Sequence, residues 1–149
     1  MATDNYREFS LNWEALAEKA KHSVSDVMRK VTLDLWTGIT QRTPVDTGRA
    51  RANWFVNVGS PSKQLDLYPE FKTNYRTVAG KRVRISNNVI PAPQVPDLSK
   101  IDGTQDVFIS NNLPYIKRLD EGWSQQAPSG MIEGAITAVK ARAENFLKT

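Results

Sequence analysis

The sequence predicts an α+β protein with a long N-terminal amphipathic helix, a small antiparallel β-sheet with long loops, and a C-terminal helix packed on the sheet. Three observations predict it. Apolar residues recur at steps of three and four at both ends of the chain, three short central runs alternate or are rich in β-formers, and the stretches between those runs carry Pro61, Pro69, Pro91, Pro93 and Pro96 without any period.

The first helix is read from Ser10, a candidate N-cap, to Arg42 within an N-terminal region 1–42. Trp13, Leu16, Ala20, Val24, Val27, Val31, Leu35 and Ile39 form its stripe. At 1.5 Å per residue such a helix spans roughly 50 Å, more than one small core covers. Gly38 is expected to loosen its last turn. Leu33 and Trp36 fall away from the stripe, on the side that holds His22. They are either contacts to another subunit or a second layer of this chain's own core.

Residues 43–122 read as sheet and loops. ANWFVNVG puts Trp54, Val56 and Val58 on one face, KRVRIS follows, and DVFIS alternates Val107 and Ile109. The segments SPSKQLDLYPEF and NNVIPAPQVPDLSKIDGTQ are expected as loops or extended arms that reach partners. The closing helix, 129–148, carries Ile132, Ala135, Ile136, Val139, Ala143 and Phe146 on one stripe, which can dock on the sheet or along the first helix. One domain, 1–149, accommodates all of this.

Composition narrows the chemistry. With no cysteine and one histidine among 149 residues, disulfides, thiolate zinc sites, cysteine nucleophiles and multi-histidine metal sites are excluded. His22 reads as a solvated surface residue. The first dozen residues lack the order of a signal peptide, and no apolar run approaches the roughly 20 residues of a membrane span, so a soluble protein in a reducing compartment is expected.

Charge is uneven. Residues 42–84 hold 9 basic and 3 acidic side chains, whereas 1–41 hold 5 and 6 and 85–149 hold 6 and 7. Within FKTNYRTVAGKRVRI, Lys72, Arg76, Lys81, Arg82 and Arg84 stand without an acid, interleaved with Phe71 and Tyr75. That pattern suits either a phosphate-binding strip or a basic hairpin exposed on a half-buried sheet.

The run TPVDTGRARANWF raises a sharper question, because Asp46-Thr47-Gly48 is the tripeptide of aspartic proteases. A proton-sharing carboxylate pair needs an apolar, uncharged surround. Here the triplet follows a helix and a proline, and Arg49 and Arg51 would hold Asp46 ionised. A corner accounts for it better: Pro44 stops the helix, Asp46 and Thr47 cap the turn, and Gly48 supplies permissive backbone. No catalytic residue, metal or cofactor is expected.

Two blocks in order, TPVDTGRARANW after a long helix and ISNNLPYIKRLDEGWSQQAPSGM before a final one, resemble the bacteriophage head-tail joining and tail-completion proteins. The matching positions are Thr43, Pro44, Asp46, Thr47, Gly48 and Arg49, then Asn111, Pro114, Tyr115, Leu119, Glu121, Gly122, Ala127, Pro128 and Met131. The resemblance implies a virion structural protein rather than an enzyme, assembled in the host bacterial cytoplasm. It also implies a homo-oligomeric ring at the tail top that meets other neck and tail proteins, such as a tail terminator and a head-closure protein, with non-specific DNA contact in the channel and no membrane. Asp46 and Arg49, with Trp54 opening the first strand, are expected to build the helix-to-sheet corner. Tyr115, Glu121 and Trp123 are expected in a structured loop, and Leu33, Trp36 and Trp123 are the candidate subunit contacts. The alternative function is nucleic-acid binding through Lys72 to Arg84.

Overall fold

The computed structural model describes residues 7–43, 49–66, 73–86, 93–120 and 130–149, with backbone alone at 73–76, 84–86 and 119. Its architecture is α+β, with helices at both ends of the chain and short antiparallel ladders between them.

The N-terminal stripe divides into two helices, α1 (Trp13–Ala20) and α2 (Val24–Arg42), where one continuous helix was expected. Lys21 turns left-handed at φ 59°, and the backbone N–H groups closing the turn return to Ala17 and Glu18. Two residues later the Ser23 hydroxyl accepts from the Asp26 N–H at 3.1 Å and starts α2. The serine cap lies inside the stripe, and the steps from Ala20 to Val24 to Val27 satisfy the helical period on either side of it. The expected cap at Ser10 is also corrected: Asn12 holds that position, its side chain accepting from the Ala15 N–H at 3.1 Å.

α2 packs along the C-terminal helix α4 (Met131–Lys148) and is its principal partner, so that of the two expected docking surfaces, sheet or N-terminal helix, the structure selects the helix. Two glycines permit the close approach. A Cβ on Gly38 would sit 3.2 Å from the Ala135 Cβ, and one on Gly134 would sit 2.8 Å from Arg42 Nε. Gly38 is thus a crossing point between helices and not a loose last turn. Trp36, Ile39, Trp54, Met131 and Ala135 form the buried cluster, flanked by half-buried Leu33, Leu35, Val56, Ile109, Ile116 and Ile132. Each large apolar side chain removed from water here contributes about 1.5–3 kcal/mol.

α1 packs against α2 and α4. Lys19 Nζ donates to the Thr149 carbonyl at 2.7 Å and lies 5.6 Å from the centroid of the Phe146 ring, so the far end of α4 is tied to α1.

The expected single sheet is two separate ladders. β1 (Phe55–Val58) pairs antiparallel with β4 (Val107–Ser110), Val56 opposite Ile109 and Val58 opposite Val107. This half-buried apolar face matches the alternation in the sequence. β2 (Thr73–Val78) pairs with β3 (Lys81–Ser86) across a turn at Ala79 and Gly80, where φ is positive at both. β2 escaped expectation because TNYRTV has no apolar alternation. Its partner strand and turn, rather than a buried face, define it.

The described parts of the two proline-bearing segments contain neither helix nor strand, yet they are anchored. Ile101 is fully buried, and Gly103, at φ 88°, runs so near the start of α2 that a Cβ added there would lie 3.6 Å from Ser25 N and Val24 Cγ1.

Candidate functional site

The C-terminus of α2 and the entry to β1 meet in a dry polar joint. Trp36 Nε1 donates to the Trp54 carbonyl at 3.0 Å, and Trp54 Nε1 donates to Thr43 Oγ1 at 2.9 Å. The Thr43 hydroxyl in turn donates to the Ile39 carbonyl at 2.7 Å. Both indoles are 6% exposed and Thr43 is buried, so each polar group of this chain has a partner away from water. Arg51 Nη2 donates to the Thr43 carbonyl at 3.0 Å and places a cation at the negative end of α2.

Three asparagines fasten the surrounding segments. Asn53, 0% exposed, donates to the carbonyls of Arg49 and Asp66 at 2.8 Å each and accepts from the Asp66 N–H at 2.8 Å. Asn111 Nδ2 reaches the Ala50 carbonyl at 2.9 Å while its Oδ1 accepts from the Leu113 N–H. Asn112 points elsewhere and donates to the carbonyls of Ser62 and Gln64 at 2.8 and 2.9 Å. The two sequence blocks, 43–54 and 111–131, thereby share one joint, with segment 60–66 strapped across it.

A second clamp begins α4. Gly130 is its N-cap and has no side chain to offer, so the carboxylate of Asp120, at the end of α3 (Ile116–Asp120), accepts from the Ile132 N–H at 3.2 Å. The Gly130 N–H donates to the Asp120 carbonyl at 3.0 Å. Arg7 bonds Asp120 and Glu133, both at 2.9 Å, and the bond to Asp120 raises its pKa above the ordinary guanidinium value. The ends of 121–129 are thus held together.

No protein-family model, curated protein or solved structure matches the chain.

The expected site residues distribute as follows. Pro44, Asp46, Thr47, Gly48, Glu121, Gly122, Trp123, Ala127, Pro128 and Lys72 lie outside the described residues, so the corner at 44–48 and the loop at 121–129 have no structural account. Thr43, Trp54, Asn111 and Met131 stand in or beside the joint. Arg49 is half-buried near Tyr115, whose hydroxyl is pushed up in pKa by burial while the positive charge of Arg49 opposes that rise. Pro114 is exposed. Of the two readings given for Trp36, the structure shows the core one, and Leu33 packs half-buried against the same cluster. His22 is exposed, 4.0 Å from Asp26.

The basic strip is a hairpin whose element contacts are chiefly between its own two strands. Its register sets Arg82 opposite Thr77 and Arg84 opposite Tyr75, but Arg76 opposite Val83 and Lys81 opposite Val78. Strand alternation therefore divides these four cations between two parities, so they do not form one row. Lys81 and Arg82 are exposed, as are Val78 and Val83.

Sequence reasoning missed Asn53, Arg7 and Asp120. A buried asparagine leaves no periodic signal, and a cap supplied from twelve residues before the N–H that it accepts from leaves none either. The serine at 23 followed by Asp26 was the available signal for the helix break. Among the described residues, no group of three or more His, Cys, Asp or Glu side chains is placed to hold a metal, and no helix is long and apolar enough to cross a membrane.

Proposed function

We propose that this chain is a virion structural protein of a tailed bacteriophage, a tail-completion or neck component that assembles in a ring at the tail top and joins tail to head. The observation that carries the reading is the Asn111 to Ala50 bond. It brings together, across 61 residues of sequence, the two blocks on which the resemblance to that family rests. A joint built from indoles, a buried threonine and carboxamides has the inert side chains of a scaffold. Beside it the chain exposes residues 77–83 of the hairpin and Gln94, Val95 and Asp97, surface of the kind that a ring subunit with several neighbours requires. The partners on this reading are copies of the chain and other neck proteins, including a tail terminator and a head-closure protein. The location is the virion, after assembly in the bacterial cytoplasm.

The test is electron microscopy of a phage lysate lacking the gene, with and without purified protein. Separate filled heads and finished tails that join only on addition are the expected result. Intact infectious particles formed without the protein would overturn the reading.

The second reading, nucleic-acid binding, draws on exposed Lys81 and Arg82. Engagement of about five phosphates would give a logarithmic salt slope near −4. The division of the cations between two parities argues for a shallower slope.

A further inference from the structure

The described part of the hairpin exposes apolar side chains. Val78 is 48% exposed and Val83 is 43% exposed, and the register places both on the parity that holds Lys81. Valines on a solvated two-stranded ribbon contribute little to the ribbon itself, and an isolated hairpin is marginal in water. Phosphate recognition has no use for them. An apolar pair beside cations suits a protein surface with apolar and acidic groups.

This chain displays such a surface. Val95 is the most exposed large apolar residue described, at 70%. The same segment carries the exposed carboxylates of Asp97, Asp102 and Asp106 against one cation, Lys100. Hydrogen bonds from Ser99 and Thr104 hold Asp97 and Asp102 in their ionised form. Buried Ile101 fixes the segment to the body, so the acidic turn is a firm receptor and the hairpin a projecting ligand.

We infer that the β2–β3 hairpin of one copy docks through Val78, Val83 and Lys81 on the Val95 to Asp106 turn of a second copy. The two surfaces differ, so the contact is heterologous and repeats head to tail, which closes into a ring when the rotation permits. This names the subunit contact of the ring proposed above and rests on that reading for its setting.

The cysteine-free chain makes the test direct. Val78→Cys and Val95→Cys proteins, each checked for native circular dichroism, are treated with a short bismaleimide alone and mixed. Treatment is repeated in purified form at high concentration and in the complemented lysate. The mixture is expected to give a cross-linked pair that neither single variant gives, and the double variant a ladder. Adding Lys81→Glu should abolish the product, and Asp102→Lys with Asp106→Lys on the other copy should restore it. No product in either setting, or equal product from a Val78→Cys and Lys148→Cys mixture, would overturn the contact. Restoration of joined particles without the cross-link leaves the neck role standing and overturns the contact alone. The cross-link without restoration does the reverse.

Discussion

The indole N–H of Trp36 donates to the backbone carbonyl of Trp54 at 3.0 Å, in a setting where both side chains are almost wholly buried. This bond locks the middle of α2 to the residue that opens β1. The indole of Trp54 then reaches back to Thr43 at the end of the same helix. Helix end and strand entry are thus stitched at two points.

Thr43→Val keeps the shape of the side chain and removes the hydroxyl that accepts from Trp54 and donates to Ile39. A buried indole N–H left without a partner costs about 1–3 kcal/mol. Urea unfolding should show that loss for Thr43→Val, and a clearly smaller one for Thr43→Ser, which retains the hydroxyl. Equal losses would mean that packing, not the hydrogen bond, sets the stability of the joint.

Asn53→Ala removes three bonds, two of them to Asp66. The segment 60–66 would keep its ties to Asn112 and, through the Ser60 carbonyl, to Asn57. Limited tryptic digestion should then cut after Lys63 many times faster than in the wild type, with global stability lower by about 1–3 kcal/mol for the buried groups left unpaired.

Gly38→Val tests the helix crossing. Its first side-chain carbon would meet Ala135 Cβ at 3.2 Å and Arg42 Nη1 at 3.1 Å before the two further methyl groups are placed. Overpacking of this kind costs about 1–3 kcal/mol, and calorimetry should record a fall in Tm of several degrees. An unchanged Tm would show that α4 can slide away from α2 without loss.

The pH dependence of the acidic turn follows from Asp97 and Asp102, each held below the ordinary carboxylate value, first by the side-chain bond to Ser99 or Thr104. A lowered folded-state pKa means that the stabilising contribution is present above the unfolded value of 3.8 and is lost as pH falls through the lower, folded value. Carbon-detected NMR titration should place both midpoints below 3.8. Thr104→Val should move that of Asp102 upward and leave that of Asp97 in place.

Much of the element content was legible at the ends of the chain. The stripe on α4 holds through Ala135, Ile136 and Val139, and the alternation at Val56, Val107 and Ile109 marks a paired, half-buried face. The helix break was not legible, because a left-handed lysine turn preserves the apolar period across it. The inward turn of Trp36 was hidden for another reason. A helical wheel shows direction around one axis, whereas burial depends on what packs there, and Trp54 and α4 arrive from elsewhere in the chain. Of the candidate site, the two blocks were read from sequence, while their meeting and the carboxamide bonds that join them were not.

By itself the sequence determined the chemical inventory and the local periods. It has no thiol and only a lone histidine, a basic middle third, amphipathic ends, and linking segments rich in proline. Those properties belong to residues and near neighbours, where side-chain type and spacing suffice. Only the tertiary structure decided that α4 lies on α2, that Asn53 and Asn111 bind backbone far away in sequence, and that the basic strip stands off as a hairpin. Each of these depends on whether a polar group finds a partner, or an apolar face a cover, across long separations. Such partnerships arise only when the whole chain has closed on itself.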